Sequence, residues 1–194
     1  MSFEQNKYQV IKNAISYDLA NFCFNYLLLK RDAIKFMYDN NFIAEHSIHG
    51  TWQDEQVPGV YSIYGDHVME TLLIKTLPVM KEKTGLDLLP TYSYARVYEK
   101  ESILRKHKDR PSCEISTTLN LGGDPWPIYI EKVKIDLNPG DMLIYAGCEL
   151  EHWRETFEGN LCGQVFLHYN HANGKFAKSN FYDKRPMLGL PKTP

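Results

Sequence analysis

Beyond residue 90 the chain is a succession of short β-rich runs punctuated by turn residues, and no other feature limits its fold so tightly. Thr91 to Tyr98 reads as a strand, followed by a polar turn and a second extended approach that ends near Asp109. Glu114 to Leu121 is the next run, closed by the Gly122-Gly123 turn, and Trp126–Glu131 and Val133–Leu137 follow. Asn138-Pro139-Gly140-Asp141 is a turn signal, with proline presetting φ and glycine free to take positive φ. Met142–Tyr145, the segment around His152, and Gln164–Tyr169 complete the series.

Within that series one trio carries chemistry. Side chains alternate along a strand, so His107 and Asp109 point to one face while Lys108 points to the other. A lone His-x-Asp is more often a surface histidine beside a solvated acid than a metal site. Here a further strand, with Leu143-Ile144-Tyr145 ahead of it, is placed to bring His152 to the same pocket. Two imidazoles and one carboxylate form the protein half of a non-haem iron(II) oxygenase centre and leave one face of the metal open.

The order of these elements resembles the iron(II)- and 2-oxoglutarate-dependent oxygenases, and within them the prolyl-4-hydroxylase-like group. The resemblance covers roughly residues 88–173. It is carried by the Tyr98 strand leading into His107-Lys108-Asp109, by the Pro139-Gly140-Asp141-Met142-Leu143-Ile144-Tyr145 turn and strand, and by His152 shortly after. It implies a mostly β chain with flanking helices, folded as a double-stranded β-helix, or jelly roll. It implies one oxygenase domain over 1–194, with a helical flank (1–87), a β-helix core (88–173) and a C-terminal tail (174–194). It also implies iron(II) on His107, Asp109 and His152, 2-oxoglutarate as co-substrate and ascorbate as an accessory reductant. Reaction with dioxygen would oxidise the keto acid to succinate and carbon dioxide and hydroxylate a peptidyl proline or a small molecule. An intact Asp109 favours hydroxylation, since related halogenases carry a small residue at that place. The alternative is a metal-binding jelly-roll module without turnover; a third is a cupin-like dioxygenase that ignores the keto acid.

The chain departs from the family at one place. The far carboxylate of 2-oxoglutarate is usually held by Arg or Lys on the strand about ten residues after the distal histidine. Here that place falls near Cys162, and nothing from Leu161 to Tyr169 is Arg or Lys. A buried carboxylate needs a cationic partner. Strand parity offers Arg154, which shares a face with His152, and then Arg96, which shares one with Tyr92, Tyr94 and Tyr98. Tyr98, Asn120 and Gln164 are further polar candidates for the co-substrate pocket. Arg110 alternates away from Asp109 and is expected to brace the loop, against Glu114. His168 is expected to be a satisfied strand histidine; His46, His49, His67 and His171 are expected to face solvent.

The first ninety residues read as mostly helical. Ser16 can cap a helix burying Leu19, Phe22, Cys23, Tyr26, Leu27, Ile34 and Met37 or Tyr38. Asp66 can cap a second, with Met69, Leu72, Leu73 and Met80 inward, Gly85 as its stop, and Pro78 kinking it or ending its first part. Between them, 46–65 reads as a loop holding Trp52, Tyr61 and Tyr64. The resemblance would hang this loop over the site, whereas the residues alone describe an ordered surface connection. The proline-rich end from Arg185 is an extended strap or a loose end.

Composition agrees with one compact enzyme domain: 194 residues, 43% hydrophobic and 24% charged, suffice for one substantial core. A net charge of -2 gives no overall basic field for nucleic acid or an anionic membrane. Apolar stretches such as Tyr26–Leu29 are far too short to cross a bilayer. Cys23, Cys113, Cys148 and Cys162 show no Cys-x-x-Cys spacing, and the N-terminus lacks a secretory pattern, which points to a reduced, cytoplasmic protein. No phosphate-binding glycine loop and no nucleophile turn appears. The expected partner is a small-molecule or peptide substrate.

Overall fold

The computed structural model describes residues 2–44 and 47–192; His46, expected to face solvent, lies outside them. Two antiparallel sheets form the body. The larger uses β1 (Tyr8–Ile11), β2 (Tyr61–Tyr64), β3 (Leu88–Glu99), β5 (Ile115–Gly123), β8 (Met142–Tyr145) and β10 (Leu161–His171), in the order β1-β8-β5-β10-β3-β2. The smaller uses β4 (Leu104–His107), β6 (Ile128–Ile130), β7 (Val133–Ile135) and β9 (His152–Arg154), in the order β4-β9-β6-β7. These are the paired sheets of a jelly roll.

Strand alternation sorts the chemistry. On β3, β5 and β10, Ala95, Val97, Leu119, Leu121, Val165 and Leu167 face one way and join the main apolar core. That core is closed by α1 (Phe3–Asn6), α2 (Tyr17–Asp39) and α3 (His67–Thr84), whose Phe3, Cys23, Leu27, Met69, Leu73 and Met80 are buried in it. Each such aliphatic side chain contributes about 2 kcal/mol by leaving water. The opposite parity, Tyr94, Arg96, Tyr98, Ser116, Thr118, Gln164 and His168, is left for the space between the sheets. Register aligns it: Gln164 sits opposite Arg96 and Asn120, and His168 opposite Tyr92 and Ser116.

The caps lie where the sequence sets them. Ser16 Oγ accepts from the Leu19 amide at 3.2 Å. Asp66 accepts from the Val68 and Met69 amides, and Gly85 ends α3 with φ +70°. Other expectations need correction. Phe22 is 62% exposed, on the side of α2 away from the buried Cys23 and Leu27. Pro78 neither ends nor splits α3, which runs unbroken through it. It sits on the exposed side, where water can satisfy the carbonyl it leaves without a donor, while Met80 and Leu73 hold the helix from below. The flank is not purely helical either. Its Tyr8–Ile11 and Tyr61–Tyr64 segments become the two edges of the larger sheet, so Tyr61 and Tyr64 belong to a strand rather than a loop.

After β10 come a short helix, α4 (Ala177–Asn180), and a tight turn at Phe181–Lys184, and from there the chain is strapped down. Arg185 donates to Glu70 at 2.6 Å and to the Thr91 carbonyl at 3.1 Å, and both charged side chains are buried. Arg110 pairs with Asp183 at 2.6 Å, not with Glu114, which instead accepts from the His171 amide. All four cysteines are unpaired, and no helix among the described residues is long and apolar enough to cross a membrane.

Candidate active site

β4 and β9 pair so that His107 stands directly opposite His152, with ring centroids 4.2 Å apart. Asp109 follows β4 and is turned inward by its own amide, which donates to the Gly147 carbonyl at 2.9 Å. The Asp109 Oδ1 atom lies 3.5 Å from His152 Nε2 and 3.8 Å from His107 Nε2. Both imidazoles are held alike. His107 Nδ1 meets the Arg105 carbonyl at 2.7 Å and His152 Nδ1 meets the Leu150 carbonyl at 3.1 Å. A carbonyl only accepts, so each ring keeps its hydrogen on Nδ1 and leaves Nε2 as a bare lone pair.

This arrangement suits a divalent cation. Two ligands bound at right angles about 2 Å from one ion stand about 3 Å apart, and the three donor atoms here lie within 4.8 Å of one another. The carboxylate has an outer partner. Ser116 Oγ donates to Asp109 Oδ2 at 2.8 Å and lies 2.9 Å from His168 Nδ1. Oδ2 is thereby occupied and Oδ1 is left for the ion, a support of the kind that orients metal ligands. Burial pushes the Asp109 carboxyl up, yet His152 and His168, whenever they carry a proton, and the Ser116 hydroxyl outweigh it and hold it below the usual range. Burial and the neighbouring His152 keep His107 low; burial, helped by Arg110 and His152, outweighs Asp109 and pushes His168 down to about 4.

The trio opens into a cavity of about 500 Å³ walled by Tyr94, Arg96, Tyr145, Phe166 and His168, with Ile48, Pro191 and Lys192 on its outer side. His168 therefore lines the cavity as well as being hydrogen-bonded. Of the five polar residues expected at a co-substrate pocket, Arg96 alone is in the cavity wall. Its guanidinium pairs with Asp54 at 3.0 Å and donates to Ser62, Gln56 and Tyr98. Tyr98 is the acceptor at 3.1 Å, and its ring packs edge-on against Trp126.

Arg154 shares the interior face, as parity requires, but lies behind the cavity wall. It donates to the Trp126 carbonyl and, at 3.3 Å, to Thr118 Oγ1; among the described residues its Nε has no partner and no carboxylate pairs with it. Asn120 does not reach the cavity. Its Nδ2 is spent on the Leu137 carbonyl and its Oδ1 on the Gly122 amide, because its level of β5 adjoins the 138–141 turn. Gln164 is held by Thr118 and Cys162.

Sequence reasoning missed Asp54 and Gln56, and it aligned Ser116 with Asn120 without giving it a role. Asp54 pins the 51–60 loop: its carboxylate accepts from the Gln56 and Val57 amides at 2.9 and 3.1 Å, from the Tyr94 hydroxyl, and from Arg96. Burial pushes its carboxyl up, but Arg96 and Tyr94 outweigh that and lower it. Gln56 Nε2 lies 2.9 Å from His107 Nε2. The one available signal was parity, which puts Ser116 on the same face as Thr118 and Asn120.

A scan against protein-family models gives no match, and no curated protein is similar in sequence. Solved structures do match in shape. A Pseudomonas putida prolyl-4-hydroxylase superposes with a TM-score of 0.62 at 14% identity, covering 87% of this chain and 95% of that one. The non-heme alpha-ketoglutarate-dependent epimerase SnoN from nogalamycin biosynthesis gives 0.67 at 12% identity, over 99% and 93% of the two chains. EctD from S. alaskensis, solved with 2-oxoglutarate and 5-hydroxyectoine, gives 0.64 at 15% identity, over 100% and 86%. The chain thus has the jelly-roll fold of the 2-oxoglutarate- and iron(II)-dependent oxygenases, prolyl-4-hydroxylases among them.

Proposed function

We propose that the protein is an iron(II)- and 2-oxoglutarate-dependent dioxygenase that hydroxylates a small molecule. One observation carries the reading: two Nδ1-tethered imidazoles and a Ser116-tethered carboxylate aim three donor atoms at one point on the wall of a cavity. His107, Asp109 and His152 would hold the iron. When bound, the metal would activate dioxygen, one oxygen atom of which would go into succinate as 2-oxoglutarate loses carbon dioxide and the other into the hydroxylated substrate. The chain's own part is geometric. The backbone carbonyls of Arg105 and Leu150 keep the hydrogens on Nδ1, Ser116 fixes the carboxylate, and Tyr145 and Phe166 keep the cavity dry.

For the far carboxylate of 2-oxoglutarate we assign Arg96, because its side chain faces the cavity. Arg154 is the second reading, favoured by its charge: a buried guanidinium without an acid is a costly arrangement that an anion would relieve. A small molecule fits better than a peptidyl proline. The cavity has the size of small-ligand sites, and it is flanked by the pinned 51–60 loop and by the C-terminal strap. Ascorbate would serve as reductant, and three buried, unpaired cysteines suit a cytoplasmic setting.

The test is succinate release from 2-oxoglutarate with iron(II) and ascorbate, without added substrate. Turnover that disappears in His107→Ala and Asp109→Ala supports the enzyme. A chain that binds iron(II) and 2-oxoglutarate but releases no succinate above background is a binding module, and one that binds iron(II) but ignores the keto acid is a cupin-like dioxygenase.

A further inference from the structure

Gln56 lies on the exposed lip of the 51–60 loop, yet both ends of its amide are engaged inside the site. Its Nε2 is 2.9 Å from His107 Nε2. Since the His107 hydrogen is held on Nδ1 by the Arg105 carbonyl, Nε2 is a bare lone pair and the Gln56 N–H donates to it. At the other end, Gln56 Oε1 accepts from both terminal nitrogens of Arg96, at 3.3 Å each. A flipped amide would set oxygen against the lone pair and N–H against the guanidinium, so the partners themselves fix its orientation. Asp54 holds Arg96 and, through two backbone amides, the loop that carries Gln56. The amide is therefore aimed at His107 from two anchored directions.

A nitrogen lone pair serves one partner at a time, so the Gln56 bond and a metal bond at His107 Nε2 exclude each other. We propose that Gln56 is a positioning residue that guards the metal centre. It competes with the divalent cation for His107. Cation uptake turns the amide out, loosens the loop and uncovers the two Arg96 N–H groups toward the cavity. The inference rests on the assignment of His107 as a metal ligand.

The experiment titrates Mn(II) into the chelator-treated full chain, with free ion read by electron paramagnetic resonance, for wild type, Gln56→Ala and His107→Ala. Gln56 is exposed, so its truncation leaves the core untouched. Gln56→Ala is expected to bind Mn(II) roughly two- to tenfold more tightly, which is what one neutral hydrogen bond is worth. In the wild type, amide exchange over residues 53–58 is expected to quicken when Mn(II) binds. Equal or weaker binding by Gln56→Ala overturns the guard, and so does unchanged exchange. If the wild type takes up no Mn(II), or His107→Ala binds as well as wild type, the metal-centre reading falls and the guard falls with it. Binding that needs His107 but is indifferent to Gln56 overturns the guard alone.

Discussion

The Asp109 amide donates to the Gly147 carbonyl at 2.9 Å, and the two residues are packed so closely that a β-carbon on Gly147 would overlap Asp109 Oδ2 and the Cys113 carbonyl. It would also stand 2.9 Å from Ser116 Oγ. The glycine is thus a steric requirement of the carboxylate's position. Gly147→Ala is expected to displace Asp109 and weaken Mn(II) binding at least roughly tenfold, the usual effect of disturbing a ligand's support. Overpacking should also cost about 1–3 kcal/mol of stability. Mn(II) titration and urea unfolding check both, and an unchanged affinity would mean that the loop yields without moving the ligand.

The two arginines separate cleanly. Arg96→Met is expected to weaken 2-oxoglutarate binding to the Mn(II)-loaded chain by roughly tenfold or more, as loss of a charge-assisted partner should. Arg154→Met should leave that affinity alone and hold or raise stability, because an uncompensated buried cation becomes an apolar side chain. Calorimetric titration decides between them. The reverse pattern would move the carboxylate site behind the cavity wall to Arg154.

Acid should destabilise the chelator-treated chain in a definite window. His168 has its pKa pushed by burial from the ordinary 6.5 to about 4, so between those values the unfolded chain binds the proton and the folded one does not. Its contribution, about 3 kcal/mol, is fully present above pH 6.5 and is lost as the pH falls toward 4. The lowered carboxyls of Asp54 and Asp109 act below that window, from the ordinary carboxylate pKa downward. His168→Gln should flatten the fall of Tm between pH 6.5 and 4. An equally steep fall in that variant would assign the acid sensitivity elsewhere.

Asp54→Asn tests the loop's pin. The substitution keeps shape but leaves the Arg96 guanidinium, 2% exposed, without its counter-charge. A loss of about 3 kcal/mol is expected from urea unfolding, together with faster amide exchange at Gln56 and Val57. A change below about 0.5 kcal/mol would show that Tyr98 and Ser62 suffice to hold Arg96.

Much of this molecule was legible in its sequence because alternation leaves a mark there. His107 and Asp109 two apart, the Pro139-Gly140 turn ahead of Met142–Tyr145, and the Ser16 and Asp66 caps all follow from local rules, and the structure brings the trio together. What escaped notice had no period to betray it. Asp54 and Gln56 sit in a loop, and their value comes from Arg96 and His107, which lie forty and fifty-one positions beyond Gln56. Parity placed Asn120 on the inner face but could not tell how far along β5 the cavity extends. Tyr8–Ile11 was too short, with too little alternation, to announce a strand, and only its pairing with β8 makes it one.

That pairing has a consequence for biogenesis. β1 is synthesised long before its partner β8, with Tyr8 finally opposite Tyr145, so everything between them leaves the ribosome before this seam can close. Until then the outer rim of Met142–Tyr145 offers unpaired amides and carbonyls to any neighbouring copy. Removing residues 2–15 would make that exposure permanent, and such a trimmed chain should be recovered as oligomers and inclusion bodies rather than as dispersed monomer.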